Sequence, residues 1–347
     1  MLSKKALSLT PYVAGEQPAG GFIKLNTNEF PYPPAPGVAA ALRDFDAGRL
    51  RLYPDPASKR LAAAVAELEG VSPENIFLGN GSDEVLGFAF LALFENSVAF
   101  ADVTYSFYPV YCDLYGLEKK ALPLKDDFTL DLAPYKSVSC GGIVLANPNA
   151  PTSLTAPNGA ILDLASSVAC NVLADEAYLD FSAQESLAKV APKIPNLLVV
   201  RTLSKSYALA GLRCGYAVGP KELIDGLTRV KNCFNSYTLG ALAQSAALAA
   251  VRDREYFNET VARVVATREK TAGALRKAGH TVLDSGANFL FARHKTAGGG
   301  EVYRRLKENG ILVRHFNGLR TAPFVRVSIG TDGDMDAFVR AFNQGHL

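Results

Sequence analysis

Four short apolar runs in the middle of the chain leave few folds open: SVAFA (97–101), GGIVLA (141–146), CNVLAD (170–175) and NLLVVR (196–201). Each is too short for a core helix and shows no polar alternation, so each predicts a strand buried on both faces. Between and before them lie segments of helical character, such as DEVLGFAFLALF (83–94) and PNGAILDLASSVA (157–169). Strands alternating with helices predict an α/β fold with a mostly parallel sheet flanked by helices. In such sheets ligands bind beyond the carboxyl ends of the strands, and that is where the chemically interesting side chains are expected.

The flanks read differently. TPYVAGEQPAGG (10–21) and NEFPYPPAPG (28–37) are rich in proline and glycine and predict an extended arm with turns. A helical pattern starts at Gly37, breaks at RLYPDPAS (51–58) and resumes in SKRLAAAVAELEG (58–70), with Ser58 as N-cap and Gly70 as stop. One long helical tract from Leu239 to Lys277 leads into an α+β pattern. There NFLFAR, ILVRHF and FVRVSIG predict strands, with a further one in GHTVLDSG, and EVYRRLKENG and MDAFVRAFNQ predict helices. A chain of 347 residues exceeds one ordinary core. The expected division is an arm (1–36), a large domain (37–245) and a small C-terminal domain (246–347).

A net charge of +2 and the lack of any basic run argue against a nucleic-acid or membrane partner. Small anionic ligands stay open, since a few placed cations can hold them. Cys112, Cys140, Cys170, Cys214 and Cys233 show no CxxC spacing, which predicts reduced thiols in a cytoplasmic protein. The start, MLSKKALSLTPY, has no apolar run of signal-peptide type. His280, His294, His315 and His346 are scattered, so no metal site is expected.

Three segments carry chemistry. In GNGSDEVLGFAF (79–90) small residues open a helix, leaving backbone N–H groups free for a phosphate; Ser82 reads equally well as a plain N-cap. NVLADEAYLDF (171–181) ends a strand in Asp175 and Glu176, with Tyr178 following. RTLSKSYALAGLRCGY (201–216) sets Lys205 between two serines and Arg213 eight residues on. A lysine amine can form a Schiff base and a carboxylate can pair with a pyridinium nitrogen. In ILVRHF and FVRVSIG, Arg314 and Arg326 interrupt apolar strands, where an unpaired guanidinium is costly unless it faces a ligand.

These segments, with LTPY, LNTNEFPYPP, LYPD, TYSFY, NPNAPTS, ADEAY, NFLFAR and VRVSIGT in that chain order, resemble the fold-type I pyridoxal-phosphate enzymes of the aspartate aminotransferase superfamily. Within it the chain is most similar to the histidinol-phosphate aminotransferase family. The resemblance implies a large domain with a mostly parallel sheet plus a smaller α+β domain, and pyridoxal 5'-phosphate bound covalently to Lys205. It implies Asp175 at the ring nitrogen, Tyr178 and Asn149 at the ring oxygen, and Tyr105 on the ring face. Gly81, Ser82, Asp83, Thr202, Ser204 and Arg213 would hold the phosphate, with Tyr53 reaching it from the other subunit of a homodimer. Tyr12, Asn28, Arg314 and Arg326 would meet the substrate.

One departure stands out: in NPNAPTS, Ala150 occupies the place where the family carries the asparagine that touches the ring oxygen. The implied reaction is transamination of histidinol phosphate with 2-oxoglutarate, in histidine biosynthesis. The core motifs alone do not separate it from an aromatic aminotransferase or a threonine-phosphate decarboxylase. A non-catalytic regulatory module is disfavoured by the presence of Lys205.

Overall fold

A computed structural model describes residues 1–344. Its strands are β1 (Ile23–Lys24), β2 (Ile76–Gly79), β3 (Ser97–Ala101), β4 (Glu118–Leu122), β5 (Gly142–Ala146), β6 (Asn171–Asp175), β7 (Leu197–Thr202), β8 (Gly215–Val218), β9 (Thr281–Val282), β10 (Phe289–Arg293), β11 (Ile311–Leu312), β12 (Arg314–His315) and β13 (Phe324–Ser328). Seven of them form one sheet in the order β2-β8-β7-β6-β5-β3-β4. From β7 to β4 the pairing is parallel, and β8 runs antiparallel to both β7 and β2.

The four apolar runs are β3, β5, β6 and β7, and their side chains divide between two cores. Leu173, Leu198 and Val200 face Val85, Leu86 and Phe90 of helix Gly81–Leu93. Val172, Ala174, Leu197 and Val199 join the opposite core with Leu61, Val65, Ile161 and Leu164. Fully burying one such aliphatic side chain contributes about 1.5–3 kcal/mol, so the sheet is held by apolar burial on both sides.

A second sheet, β12-β13-β10-β9, is antiparallel throughout. The segment ILVRHF, expected as one strand, is two. Ile311–Leu312 pairs with the arm strand β1, while Arg314–His315 pairs with β13. Two sheets compete for the same stretch, and the chain switches between them at Val313. The arm also carries a short helix, Lys4–Ser8.

The helical tract expected from Leu239 to Lys277 is broken as well, into Ala241–Arg252 and Arg254–Lys277. Asp253 makes the break and caps the second helix by accepting from Tyr256 N at 3.2 Å. Gly70 does end its helix in a left-handed conformation (φ +68°). Ser58 stands at the N-cap, but with φ +47° and no side-chain cap bond. Asp55 instead accepts from the first helical N–H, Lys59 N, at 2.8 Å and from Ala57 N, just before the helix, at 3.0 Å.

At the carboxyl end of β7, Arg201 is buried between Asp180 and Glu69. Asp180 also accepts from Ser206 Oγ, so this one carboxylate ties the strand end to the loop that bears Lys205. Removing the guanidinium would leave two carboxylates uncompensated away from water. Arg201→Met is therefore expected to lower unfolding stability by about 3–5 kcal/mol. Urea denaturation followed by circular dichroism measures this; an unchanged midpoint would show that the pair contributes nothing net.

Candidate active site

A cleft of about 790 Å³, open to solvent, lies at the carboxyl ends of β5 and β6, beneath the second sheet. Its floor is Asp175, the last residue of β6, only 5% exposed. Oδ2 accepts from Tyr108 Oη at 2.8 Å and Oδ1 from Ala177 N at 3.1 Å. Burial pushes the Asp175 carboxyl up to about 6, against the lowering effect of those two bonds. A carboxyl that resists ionisation there is one that gains from a cation brought alongside it.

One wall is an anion cradle. Gly81 opens its helix at φ +83°, and a Cβ on it would sit 2.4 Å from Arg213 Nη2. A Cβ on Gly215 would likewise lie 2.4 Å from Ser82 N. These two glycines let the guanidinium and the β8 backbone close onto a helix N-terminus, where N–H groups and the helix dipole favour negative charge. Arg213 Nη1 donates to Ser204 Oγ at 3.3 Å and Nη2 to Asp83 Oδ2 at 3.2 Å. The Asp83 pair is more than a third exposed, so it is worth at most about 1 kcal/mol and can give way to a phosphate. Asp83 Oδ1 also accepts from Tyr105 Oη at 2.8 Å, which fixes that ring at the cleft.

Lys205 enters from the loop after β7, with Nζ 3.4 Å from Thr27 O and 5.6 Å from the Tyr178 ring centroid. The Tyr178 ring stands edge-on to Phe289 at 5.0 Å, and its oxygen accepts from Asn28 Nδ2 at 3.0 Å.

The far wall holds two arginines directly opposite each other across β12 and β13. Arg326 lies between the rings of Phe289 (5.3 Å) and Phe316 (5.5 Å) and donates from Nη2 to Asn26 O at 3.1 Å, while its Nε is buried with no partner. Burial, and to a smaller extent the charge of Arg314, draw this guanidinium below its ordinary value. Arg314 is held by Val13 O (3.0 Å) and Ala14 O (3.4 Å) of the arm. Tyr12 closes the rim and stacks on Phe107 at 4.5 Å. Two neighbouring guanidiniums with donors to spare suit an oxyanion.

The Lys205 amine, the raised carboxyl of Asp175, the Arg213 cradle and the Arg314–Arg326 pair thus share one cleft. The model of the family described as "Aminotransferase class I and II" matches residues 21–342. "Histidinol-phosphate aminotransferase 2" of Thiobacillus denitrificans is 52% identical over 96% of this chain and 94% of its own length. "Histidinol-phosphate aminotransferase" of Brachyspira hyodysenteriae is 48% identical over 97% and 96%. The chain belongs to the class I and II aminotransferases.

Two solved structures show the same fold. The histidinol-phosphate aminotransferase of Sinorhizobium meliloti in complex with pyridoxal-5'-phosphate has a TM-score of 0.86 at 24% identity, covering 99% of this chain and 96% of that one. Aspartate aminotransferase of Thermus thermophilus with maleate has 0.82 at 21%, covering 99% of each.

In this aminotransferase Tyr12, Asn28, Ser82, Asp83, Tyr105, Asp175, Tyr178, Ser204, Lys205, Arg213, Arg314 and Arg326 all line the cleft, and Gly81 shapes its edge. Three expected residues stand apart. Asn149 does not reach the cleft. Its amide nitrogen donates to Val103 O and Thr152 Oγ1, both at 2.9 Å, and its oxygen accepts from Thr104 Oγ1 at 2.8 Å. Ala150 faces the cleft instead. Thr202 is one layer back, accepting from Ser204 N at 3.1 Å and so shaping the lysine turn. Tyr53 is 81% exposed and stacks on Tyr237 at 4.5 Å, with no part in the cleft of its own chain.

Tyr108 was not expected in this role, although TYSFY places it one helical turn from Tyr105; its bond to Asp175 joins residues 67 positions apart. The described residues hold no group of three or more potential metal-ligating side chains. The His280 and His294 rings lie 4.5 Å apart at a tilt of 38°, His315 Nε2 is 2.9 Å from Ala322 O, and His346 lies outside the described residues.

With its carboxyl raised, Asp175 holds a proton in the folded ligand-free protein at pH values where the unfolded chain has released it. Its contribution to stability is therefore greatest below about 4, near its unfolded value, and is lost as pH rises through about 6. Infrared difference spectra of the ligand-free protein should show a protonated carboxyl band with a midpoint near 6 that vanishes in Asp175→Asn. A midpoint near 4 would contradict the burial argument.

Proposed function

We propose that this enzyme transaminates L-histidinol phosphate with 2-oxoglutarate, giving imidazole-acetol phosphate and glutamate, with pyridoxal 5'-phosphate as cofactor. The observation that carries the reading is the convergence of Lys205, Asp175, Arg213 and the Arg314–Arg326 pair on one cleft. The names and near-complete coverage of relatives about half identical to this chain support the substrate.

The cleft fits the cofactor on its own terms. Lys205 would hold the aldehyde, Asp175 the ring nitrogen, Tyr178 the ring oxygen and Tyr105 a ring face. Ser82, Ser204 and Arg213 would hold the phosphate, with Gly81 and Gly215 allowing the approach and Thr202 setting the turn. When bound, pyridoxal phosphate supplies an electron sink for the charge left as a proton leaves the carbon bearing the amino group.

The chain's own residues do the rest. Lys205 Nζ would take that proton from the substrate carbon and hand it on to the cofactor carbon that had carried the aldehyde, so that the amino group changes owner. Asp175, ionised beside a ring cation, keeps that cation protonated, and Tyr108 keeps the carboxylate in place. Arg326 and Arg314 grip the anionic ends of either substrate, a phosphate in one case and a carboxylate in the other. Bidentate guanidinium bonding serves both, which is how one pocket accepts two compounds of different shape. Tyr12 and Asn28 close over the ligand from the arm.

Purified protein supplied with pyridoxal phosphate, histidinol phosphate and 2-oxoglutarate is expected to form glutamate. Lys205→Ala should cut the rate by roughly 10²–10⁴-fold through loss of the proton-transfer group alone. Glutamate from phenylalanine but not from histidinol phosphate would move the assignment to another aminotransferase.

A second copy of the chain completes the picture. Tyr53, Leu52 and Phe234 are 81%, 55% and 80% exposed, and a homodimer would cover such large apolar side chains. There Tyr53 would reach the phosphate cradle of the partner. Sedimentation should give twice the chain mass, and Tyr53→Ala should weaken cofactor retention. A fully active monomer would contradict this.

A further inference from the structure

We propose that Ser328 is a positioning residue for the reaction: through Asn28 it aims the Tyr178 hydroxyl into the cleft, making up for the donor that Ala150 and Asn149 do not provide. The proposal rests on the pyridoxal-phosphate reading above.

Ser328 ends β13, is 3% exposed and does not itself line the cleft. Its Oγ accepts from Asn28 N at 2.8 Å, so its own hydrogen needs an acceptor, and Asn28 Oδ1 lies 3.0 Å away. That contact decides which way the amide faces. With the carbonyl toward Ser328, the NH₂ points at Tyr178 Oη, 3.0 Å away. The reversed amide would set an NH₂ against the serine hydroxyl and leave a buried O–H without an acceptor.

Asn28 cannot easily turn aside. It holds a left-handed backbone (φ +55°), a conformation asparagine tolerates better than most residues, and its carbonyl accepts from Asn288 Nδ2 at 3.1 Å. Having accepted one N–H from Asn28, the phenol oxygen keeps its own hydrogen for an acceptor inside the cleft. Phe289 fixes the ring edge-on, and in the β10–β13 register it is the residue opposite Ser328.

This alignment matters more here because the segment 147–153 reaches the cleft only through Pro148 and Ala150, neither of which carries a side-chain donor. Ala150, which faces the cleft, has no polar side chain, and both amide atoms of Asn149 are bonded elsewhere. β13 also carries Arg326, two residues before Ser328. The strand that grips the substrate anion is thus the strand that sets the phenol.

A donor on the cofactor ring oxygen would disperse the negative charge on that oxygen, weaken its hold on the proton of Lys205 Nζ beside it, and so make Nζ easier to deprotonate. The readout is the pH midpoint of the visible absorbance of cofactor-loaded protein, measured without substrate. Ser328→Ala is expected to raise it by about 0.5–1 pH unit. Asn28→Gly, which suits the left-handed backbone, should raise it by a similar amount, and adding Ser328→Ala to Asn28→Gly should shift it no further, since both act through one link.

A wild-type midpoint that Ser328→Ala leaves unmoved, or shifts that add in the double variant, overturns the role of Ser328. Should Ser328→Ala fail to fold, Asn28→Gly decides alone: a raised midpoint supports the link and an unmoved one overturns it. Wild-type protein that takes up pyridoxal phosphate with no visible band, and no borohydride-fixed adduct on Lys205, overturns the cofactor reading itself.

Discussion

A sheet buried on both faces has almost no place for a charge except at the ends of its strands, and this constraint organises the molecule. Along β6, Val172, Leu173 and Ala174 are fully buried, and the first acidic side chain appears where the strand stops, at Asp175. Along β7 the same holds for Leu197 to Val200, and the first cation is Arg201. Parallel strands put these ends side by side. A floor carboxyl and a lysine loop from different strands thus meet in one cleft without any dedicated scaffold.

Charges concentrated at low dielectric need fixed partners, and the partners explain much of the local architecture. Asp180 holds both Arg201 and Ser206, so the turn bearing Lys205 is tied to the sheet on either side of the lysine. Tyr108 and the Ala177 N–H hold the Asp175 carboxyl. Arg326 keeps a single hydrogen bond and two aromatic neighbours, which leaves donors for a ligand. The site is rigid where a cofactor would attach and open-handed where a substrate would arrive.

The arm is fastened to the C-terminal part of the chain by strand pairing and by charged side chains. β1 pairs with β11, Arg314 grips two arm carbonyls, and Glu16 pairs with Lys307 at 2.8 Å. The last of these is a surface ion pair of the kind usually worth less than about 1 kcal/mol. Arg314 is thus both a lining residue of the cleft and a clasp on the arm that carries Tyr12 and Asn28.

The sequence by itself determined the buried strands, because an unbroken apolar run admits few other structures, and through the ordered motifs of its family resemblance it pointed to Lys205, Asp175, Arg213 and the strand arginines, which the fold brings to one cleft. Tertiary structure decided what depends on direction and competition. Asn149 and Ala150 are adjacent in sequence, and only the fold shows that Thr104, Val103 and Thr152 take the amide of one while the other faces the cleft. Ser58 looks like a cap, yet its side chain makes no cap bond and the first helical N–H, Lys59 N, goes to Asp55. ILVRHF looks like one strand until two sheets compete for it. Tyr108 and Ser328 find their partners 67 and 300 residues away, and a hydrogen bond over such a separation leaves no local pattern to be read.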